Sequence, residues 1–311
     1  MKGFLQNKPF YVQFIFLLCL ALASLAVFST IGLLLMPSLF GINILLNPEI
    51  LSDYNNPDSI AALKMLQIIQ AIALFIIPAL VFPYFVGERA DEYLKTDKKT
   101  NLLLVLLVIA IAFISSPFME LTARLNAQMH LPPFLKGLED WMRIQEDSLS
   151  ELTKAFLKMN SIGALLVNLV MIALLPAIGE EFLFRGVIQR IFIGWSKNVH
   201  WGIVLAAILF SAMHIQFYGF IPRMLLGVLF GYLFYWSENI WLPVLAHFLN
   251  NGTVVLFSYL FQNKMTKFNI DSDTAASTSV YIISLMATML LLFGYYTVSR
   301  RLMSKEHEYG K

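Results

Sequence analysis

The sequence predicts an all-α fold, a polytopic bundle of about eight transmembrane helices. Hydrophobic residues make up 58% of the 311 residues and charged residues only 14%, whereas a soluble domain carries roughly 25% charged residues. The mean hydropathy is +0.70, and apolar runs long enough to cross a bilayer recur along the chain. Water is therefore not the main solvent of this chain, and one helical membrane bundle fits better than two soluble domains.

Eight segments approach the length that a helix needs to cross about 30 Å of hydrocarbon at about 1.5 Å per residue. They cover residues 10–38, 60–86, 101–118, 161–192, 199–216, 220–236, 240–262 and 278–298. The first segment stays apolar to about Met36, which is longer than a signal peptide requires, so we expect an uncleaved helix. In the sixth segment Gly227 and Gly231 form a small-xxx-small pair, which predicts close helix packing.

The distribution of Lys and Arg predicts the orientation, because these residues concentrate in cytoplasmic loops. Residues 42–58 contain neither type, so the first loop should be outside. Residues 87–100 should be cytoplasmic, because they contain Arg89, Lys95, Lys98 and Lys99. With an even number of helices both termini lie in the cytoplasm, and we expect a multi-pass protein of the cell inner membrane. Four tryptophans flank the proposed cytoplasmic turns, as interfacial residues do: Trp195, Trp201, Trp236 and Trp241.

Residues 119–158 are too polar to span the membrane and are interrupted by Pro132 and Pro133. Beyond this break, apolar residues at helical spacing alternate with charged residues. The apolar positions are Leu138, Met142, Leu149, Leu152 and Phe156, and the charged positions are Glu139, Asp140, Arg143, Glu146 and Asp147. We predict an amphipathic helix on the outer surface, with a solvated cap favoured over a substrate-binding element.

Several classes of function fit the sequence poorly. The net charge of +2 is too small to suggest a nucleic-acid partner. Cys19 is the only cysteine, so neither a disulfide framework nor a thiolate metal cluster can be built. The sequence contains no His-Glu-x-x-His, the common zincin motif, and no Gly-x-Ser-x-Gly, the nucleophile elbow of a hydrolase.

Ionisable and amide side chains inside the predicted spans are few, and each is a functional candidate because polar groups in a bilayer are costly. Three segments carry Glu180, Glu181, Arg185, His214, His247, Asn250 and Asn251. Counting about 1.5 Å per residue from the tryptophans puts the candidates in these segments roughly 9 to 22 Å deep. Three helices could thus supply one cavity that opens to the cytoplasm.

Spacing on the fourth segment separates its two carboxylates. Glu181 and Arg185 are four residues apart and share a helix face, so they can pair. We therefore expect Glu180, and not Glu181, to be the carboxylate available for chemistry. A Glu–Arg pair alone is more often a packing device, but its combination with histidines and an asparagine on other segments favours a reactive site.

The same spacing relates residues on the fifth and seventh segments. Phe210 lies one turn before His214, where its ring could pack against the imidazole or shield the site. His247 and Asn251 project from one face of the seventh segment.

At these residues the sequence resembles the CAAX-protease and bacteriocin-processing (CPBP) family of intramembrane proteases, also called the Abi family. Its three motifs occur in order: Glu-Glu-x-x-x-Arg at Glu180, Glu181 and Arg185, Phe-x-x-x-His at Phe210 and His214, and His-x-x-x-Asn at His247 and Asn251. The resemblance implies an eight-helix bundle with a membrane cavity. It makes 160–255 the catalytic core, preceded by membrane helices over 1–159 and followed by the last helix and cytoplasmic tail over 256–311.

The resemblance implies an intramembrane endopeptidase, similar to type II CAAX prenyl endopeptidases, that acts on a membrane-associated protein or peptide. It implies that Glu180 activates water with help from His214, while His247 and Asn251 stabilise the oxyanion. Two forms of this mechanism stay open. In one, Glu180, His214 and His247 hold zinc; in the other, the glutamate works without metal.

Two interpretations without protease activity also stay open. One is a membrane immunity or binding protein of the same fold, which would still protect cells after the Glu and His residues were replaced. The other is a small proton-coupled transporter that uses the carboxylate and histidines as a relay. A transporter would be expected to show repeated halves or paired broken helices, and the sequence shows neither.

Overall fold

The computed structural model describes residues 2–44, 46–269 and 275–309, and all regular structure in these ranges is helical. The helices are α1 (Phe10–Phe40), α2 (Pro57–Val86), α3 (Ala90–Leu94), α4 (Leu102–Ile114), α5 (Ser116–Ala127), α6 (Lys136–Phe156), α7 (Ile162–Ser196), α8 (Val199–Ala212), α9 (Phe220–Ser237), α10 (Trp241–Gln262) and α11 (Thr278–Tyr309). Short 3₁₀ turns occupy Pro48–Ser52 and Pro133–Leu135. The predicted all-α fold class is confirmed.

The number of spans differs from the predicted eight. Within the described residues, six helices are long and apolar enough to cross a membrane, or seven if the bent pair α4–α5 counts as one span. All eight predicted segments are helical. The fifth, however, is represented by α8, whose 14 residues reach only about 21 Å. The predicted segment continued to residue 216, but the helix ends before His214.

The bend between α4 and α5 coincides with a proline, and a serine of α11 binds the backbone groups that the bend leaves open. The pair is bent by 40°, and Pro117 stands in the first turn of α5, where a missing N–H is tolerated. Ser284 of α11 donates to the carbonyl of Ile114 at 2.6 Å and accepts from the N–H of Phe118 at 3.1 Å. One serine therefore satisfies backbone groups on both sides of the break.

The predicted amphipathic helix is present as α6, and the Pro132-Pro133 break precedes it as a 3₁₀ turn. Large apolar side chains in the turn and along α6 are exposed: Phe134, Leu138, Trp141 and Ile144. An exposed apolar stripe opposite charged residues is typical of a helix that lies in the membrane interface.

The chain divides into two compact units. The first unit contains Met1–Ala90, Ser148–Leu183 and Asn251–Ile270. In it α1 packs along α2, and the 175–181 part of α7 packs against α2. A Cβ atom added to Gly179 would lie 2.9 Å from Cβ of Phe75, so this glycine lets α7 approach α2 closely.

Two helices of the first unit contain π-helical stretches, at Ile72–Ile76 in α2 and at Leu169–Leu174 in α7. Each stretch is followed two residues later by a proline, Pro78 or Pro176. Proline has no N–H and its ring crowds the carbonyl four residues earlier. The wider turn is the local adjustment to that crowding.

The second unit contains Asp91–Asp147, Phe184–Asn250 and Asp271–Lys311. Its core joins α4, α9, α11 and the first half of α10. The buried members are Leu104, Val108, Ile111, Leu229, Phe230, Leu233, Leu242, Ala246 and Tyr295. The hydroxyl of Tyr295 donates to the carbonyl of Leu233 at 3.0 Å, so the buried phenol is satisfied.

Helices α8 and α9 pack closely through the two glycines that the sequence singled out. A Cβ atom on Gly227 would lie 2.9 Å from Cβ of Ala207, and one on Gly231 would lie 2.7 Å from Cγ2 of Ile203. The predicted role of the small-xxx-small pair is confirmed.

Contacts in the second unit place two loops at one end of α9. Lys95 and Glu238 form a salt bridge of 3.4 Å, and Nε1 of Trp241 donates to the carbonyl of Thr96 at 3.0 Å. At the other end of α9, Tyr218 contacts Glu146 of α6. The basic loop and α6 therefore lie at opposite ends of α9, as the predicted topology requires.

The predicted topology can be tested by cysteine labelling in a Cys19→Ser background. Asp53→Cys and Asp140→Cys should react with a membrane-impermeant maleimide in intact cells, because both are exposed on the predicted outer side. Asp97→Cys should react only after the membrane is permeabilised. Labelling of residues 53 and 97 from the same side would contradict the orientation.

The close approach of α8 and α9 predicts that Gly227→Ala lowers the melting temperature in detergent. The added methyl group meets Ala207 near its backbone, and overpacking of this kind costs about 1 to 3 kcal/mol. Gly294→Ala on α11 is the matched control, because a Cβ atom there meets nothing within 4 Å. Equal melting temperatures for the two variants would contradict the packing role of Gly227.

Candidate active site

Glu180 and Glu181 end the regular α-helical part of α7, Leu175–Glu181. The helix then passes into a second π-helical stretch, Phe182–Ile188, which contains Arg185. Both carboxylates are buried, Glu180 with 8% and Glu181 with 0% of its surface exposed. Since π-helical turns occur frequently at functional sites, the local geometry agrees with a site at this part of α7.

Asn251 is hydrogen-bonded to α7, the helix that carries Glu180. Its Nδ2 donates to the carbonyl of Ile172 at 3.2 Å, within the first unit. Pro176 stands four residues after Ile172 and cannot provide the α-helical N–H for that carbonyl. The proline therefore opens an acceptor on α7, and the asparagine of the third motif binds to it.

In the second unit, the ring of Phe210 contacts the other three motif residues. Its ring centroid lies 5.1 Å from that of His214 and 6.1 Å from that of His247. The guanidinium carbon of Arg185 lies 4.9 Å from the Phe210 centroid. The predicted packing of Phe210 against His214 is confirmed, and the same ring also contacts His247 and Arg185.

The tautomer of His214 follows from its hydrogen bond. Nδ1 lies 2.9 Å from the carbonyl oxygen of Phe210, and a carbonyl oxygen can only accept. Nδ1 therefore carries the hydrogen, and in the neutral ring Nε2 is the nitrogen with a lone pair. His214 follows the last turn of α8 and is half-buried, so Nε2 is the atom suited to exchange a proton.

His247 is held by aromatic contacts on two sides. Its ring stacks on Phe230 with centroids 5.4 Å apart, and the edge contact with Phe210 is nearly perpendicular. Only 5% of His247 is exposed. These contacts restrict the orientation of the imidazole ring. A hydrogen-bond donor that stabilises charge in a transition state has to be oriented in this way before the reaction.

Arg185 is fully buried and lies among aromatic rings. Besides Phe210, its guanidinium carbon is 5.8 Å from the centroid of Phe230 and 6.0 Å from that of Phe184. Aromatic faces attract cations, most strongly where water is excluded. The arginine thus contributes to packing as well as charge.

The motif residues are distributed over both units. Glu180, Glu181 and Asn251 belong to the first unit, and Arg185, Phe210, His214 and His247 to the second. Within each unit they gather around one feature, which is helix α7 in the first and the Phe210 ring in the second. That all seven act together stays a prediction from the sequence.

A metal ion needs several ligands at one point, and zinc is bound mainly by His, Cys and carboxylate groups. Within residues 2–44, 46–269 and 275–309, no three His, Cys, Asp or Glu side chains form a group that could hold a metal ion. The structure therefore assigns no ligand set, and zinc at Glu180, His214 and His247 stays a prediction.

Some polar residues in the spans were missed by the motif analysis. Nζ of Lys64 in α2 donates to Oδ1 of Asn168 in α7 at 2.9 Å, and Nδ2 of Asn168 donates to the Phe156 carbonyl at 2.6 Å. In the other unit, Gln189 donates to the Gly231 carbonyl at 3.1 Å. A single lysine within the apolar run 60–86 was a signal that could have identified Lys64 as a candidate, but not its partner.

Comparison with known proteins supports the resemblance over the central segment. Residues 162–253 match the family model described as type II CAAX prenyl endopeptidase Rce1-like, and all seven motif residues lie in this range. Uncharacterized protein YpbD of Bacillus subtilis (strain 168) is 31% identical over 86 residues, which are 26% of this chain and 41% of YpbD. The match thus spans less than half of that relative. No solved structure matches the chain significantly. The resemblance inferred from the three motifs is confirmed over residues 162–253, which are similar to the type II CAAX prenyl endopeptidase Rce1-like family.

Proposed function

We propose that this chain is an intramembrane endopeptidase of the CAAX type, which hydrolyses a peptide bond in a membrane-associated substrate. The observation that carries the proposal is the family match over residues 162–253, which includes every residue of the three motifs. Six or more apolar helices in the described part of the chain support a multi-pass protein in the bilayer. The reaction class is peptide hydrolysis, as the family description indicates.

Glu180 is the general base in the proposed reaction. It takes a proton from water while the water oxygen attacks the carbonyl carbon of the scissile bond. The C–N bond then breaks, and the proton passes to the leaving nitrogen, which regenerates the carboxylate. Nε2 of His214 can share this proton, because the bond from Nδ1 to the Phe210 carbonyl fixes the tautomer.

His247 and Asn251 are the proposed donors to the oxyanion that develops on the carbonyl oxygen. Such donors contribute most when they are oriented before the reaction and shielded from water. The ring of His247 is restrained by Phe230 and Phe210. The amide of Asn251 is oriented by the bond that its Nδ2 donates to the Ile172 carbonyl.

A cavity that opens to the cytoplasm would receive a substrate presented at the inner leaflet. We propose a lipid-modified or amphipathic peptide as the substrate class, since such a peptide is already concentrated at the bilayer. The lipid bilayer itself is then part of the binding environment.

The first prediction on function concerns Glu180. Glu180→Gln keeps the size of the side chain but removes the basic oxygen, so kcat should fall by about 10²- to 10⁴-fold. The measurement is hydrolysis of an internally quenched, prenylated peptide with a C-terminal CAAX sequence, by purified protein in nanodiscs. Glu151→Gln, the same change at an exposed position of α6, should keep the wild-type rate.

Chelation separates the two forms of the mechanism. If zinc takes part, treatment with a chelator should abolish cleavage and added zinc should restore it, whereas the metal-free form predicts no response. Wild-type rates in Glu180→Gln would contradict the assignment in either form. A wild-type protein that cleaves no peptide but still protects cells from a toxin would favour the immunity interpretation.

The second prediction on function concerns Arg185. If it pairs with Glu181, as their spacing predicts, Arg185→Ala leaves a buried carboxylate uncompensated, at a cost on the order of 3 to 5 kcal/mol. Thermal unfolding in detergent should show a lower melting temperature together with lost activity. Arg300→Ala, at an exposed arginine of α11, should change neither. A stable but inactive Arg185→Ala would instead indicate direct action on the substrate.

A further inference from the structure

The turn that follows α8, residues 213–219, carries His214 and is held by α6. The backbone N–H of Tyr218 donates to Oε2 of Glu146 at 3.0 Å, and its hydroxyl donates to Oε1 of Glu139 at 3.4 Å. The guanidinium carbon of Arg143 lies 4.4 Å from the centroid of the Tyr218 ring. Three residues of α6, all in the second unit, therefore grip one residue of the turn. We call this set the α6 clamp.

Glu139 is the fixed point of the α6 clamp. Its Oε1 accepts from Arg143 at 2.7 Å and lies 2.9 Å from Nδ1 of His130, while Oε2 accepts from the N–H of Leu131 at 3.0 Å. The hydrogen bonds from Arg143, His130 and Leu131 lower the pKa of Glu139 to about 2. The lowered pKa means that Glu139 keeps its negative charge at neutral pH and in mild acid.

The turn itself is conformationally strained. Ile215, the residue after His214, has a φ of 53°, and a β-branched side chain is a rare exception in this left-handed region. Such a conformation persists only where surrounding contacts impose it. The turn therefore depends on contacts from outside its own sequence.

Other contacts hold the far side of the same turn. Nη2 of Arg223 donates to Oε1 of Gln216 at 2.6 Å, and the hydroxyl of Ser211 donates to the Phe220 carbonyl at 2.6 Å. The N–H of Ile221 donates to Oδ1 of Asn126 at 2.8 Å. Within these restraints, Tyr218 carries the contacts of the turn with Glu139, Arg143 and Glu146 of α6.

We propose that Glu139, Arg143 and Glu146 are positioning residues for His214 and that they act through Tyr218. The inference rests on the proposed function, in which His214 shares the proton of the attacking water. The α6 clamp fixes the turn, the turn fixes the backbone of His214, and the bond from Nδ1 to Phe210 sets the ring. Without the α6 clamp, the strained turn relaxes and Nε2 leaves its position.

The test compares disruptive and conservative variants of the full chain in nanodiscs. Glu146→Ala and Glu139→Ala remove acceptors from the α6 clamp, Glu146→Gln retains an acceptor oxygen, and Tyr218→Phe removes only the hydroxyl. Asp147→Ala is the matched control, because this exposed residue is adjacent to Glu146 but outside the α6 clamp.

The first readout is independent of proteolysis. Hydrogen exchange across residues 211–223 should be about tenfold faster in Glu146→Ala and Glu139→Ala, and close to wild type in Glu146→Gln and Asp147→Ala. Modification of His214 by diethyl pyrocarbonate should accelerate in the same two variants, with exposed His200 as the internal reference. Unchanged exchange and unchanged His214 modification would overturn the inference.

The second readout is cleavage of the quenched prenylated peptide. Glu146→Ala and Glu139→Ala should lower kcat by about tenfold or more with little change in KM, Tyr218→Phe should lower it less, and Glu146→Gln should restore it. Faster exchange with wild-type kcat would also overturn the inference. A wild-type protein that cleaves nothing would refute the proposed function alone, because the exchange and modification results still decide whether the α6 clamp positions His214.

Discussion

A guanidinium group inside a bilayer is costly, about 2.5 to 3.5 kcal/mol at the centre of an inserted helix. Arg185 is fully buried on an apolar span, so the protein has to provide surroundings that accept its charge. The rings of Phe210 and Phe230 do so in the second unit. Because the Phe210 ring also contacts His214 and His247, the positions of both histidines depend on the same cluster that accommodates the arginine.

A second constraint acts through the backbone of α7. Pro176 removes an N–H from the helix, and the acceptor that it exposes at Ile172 is bound by Asn251. The proline and the asparagine are distant in sequence, but together they account for one hydrogen bond. Gly179 then permits the close approach to α2, one residue before Glu180. The carboxylate is thus carried by a helix whose irregularity and packing are both set by nearby residues.

Much of the fold could be predicted because apolar length and amphipathic spacing are local properties of the sequence. Each predicted segment is helical, and α6 occurs where its periodicity placed it. The end of α8 could not be predicted from hydropathy, since Met213, Ile215 and Phe217 continue the apolar composition beyond the last helical residue. What stops the helix in that turn is a left-handed Ile215 and contacts with α6, about seventy residues away in sequence.

The candidate residues could be predicted for a different reason. Burying charged and amide side chains in hydrocarbon costs so much free energy that the few present are functional candidates by default. Their four-residue spacings also match a known family. Contacts between residues on different helices have no such signature. The bond between Lys64 and Asn168 and the grip of α6 on Tyr218 depend on tertiary packing, which one sequence does not encode in any periodic pattern.

The short length of α8 has a consequence for the lipid around it. Its 14 residues reach about 21 Å, whereas the hydrocarbon core is about 30 Å thick. Leu205 and Ile208 are exposed on this helix, and where α8 borders lipid its helical length would fall about 9 Å short of the hydrocarbon core. A bilayer adapts to such hydrophobic mismatch by becoming thinner, with headgroups and water drawn toward the end of the short helix. A polar peptide would cross less hydrocarbon there than along any full-length span.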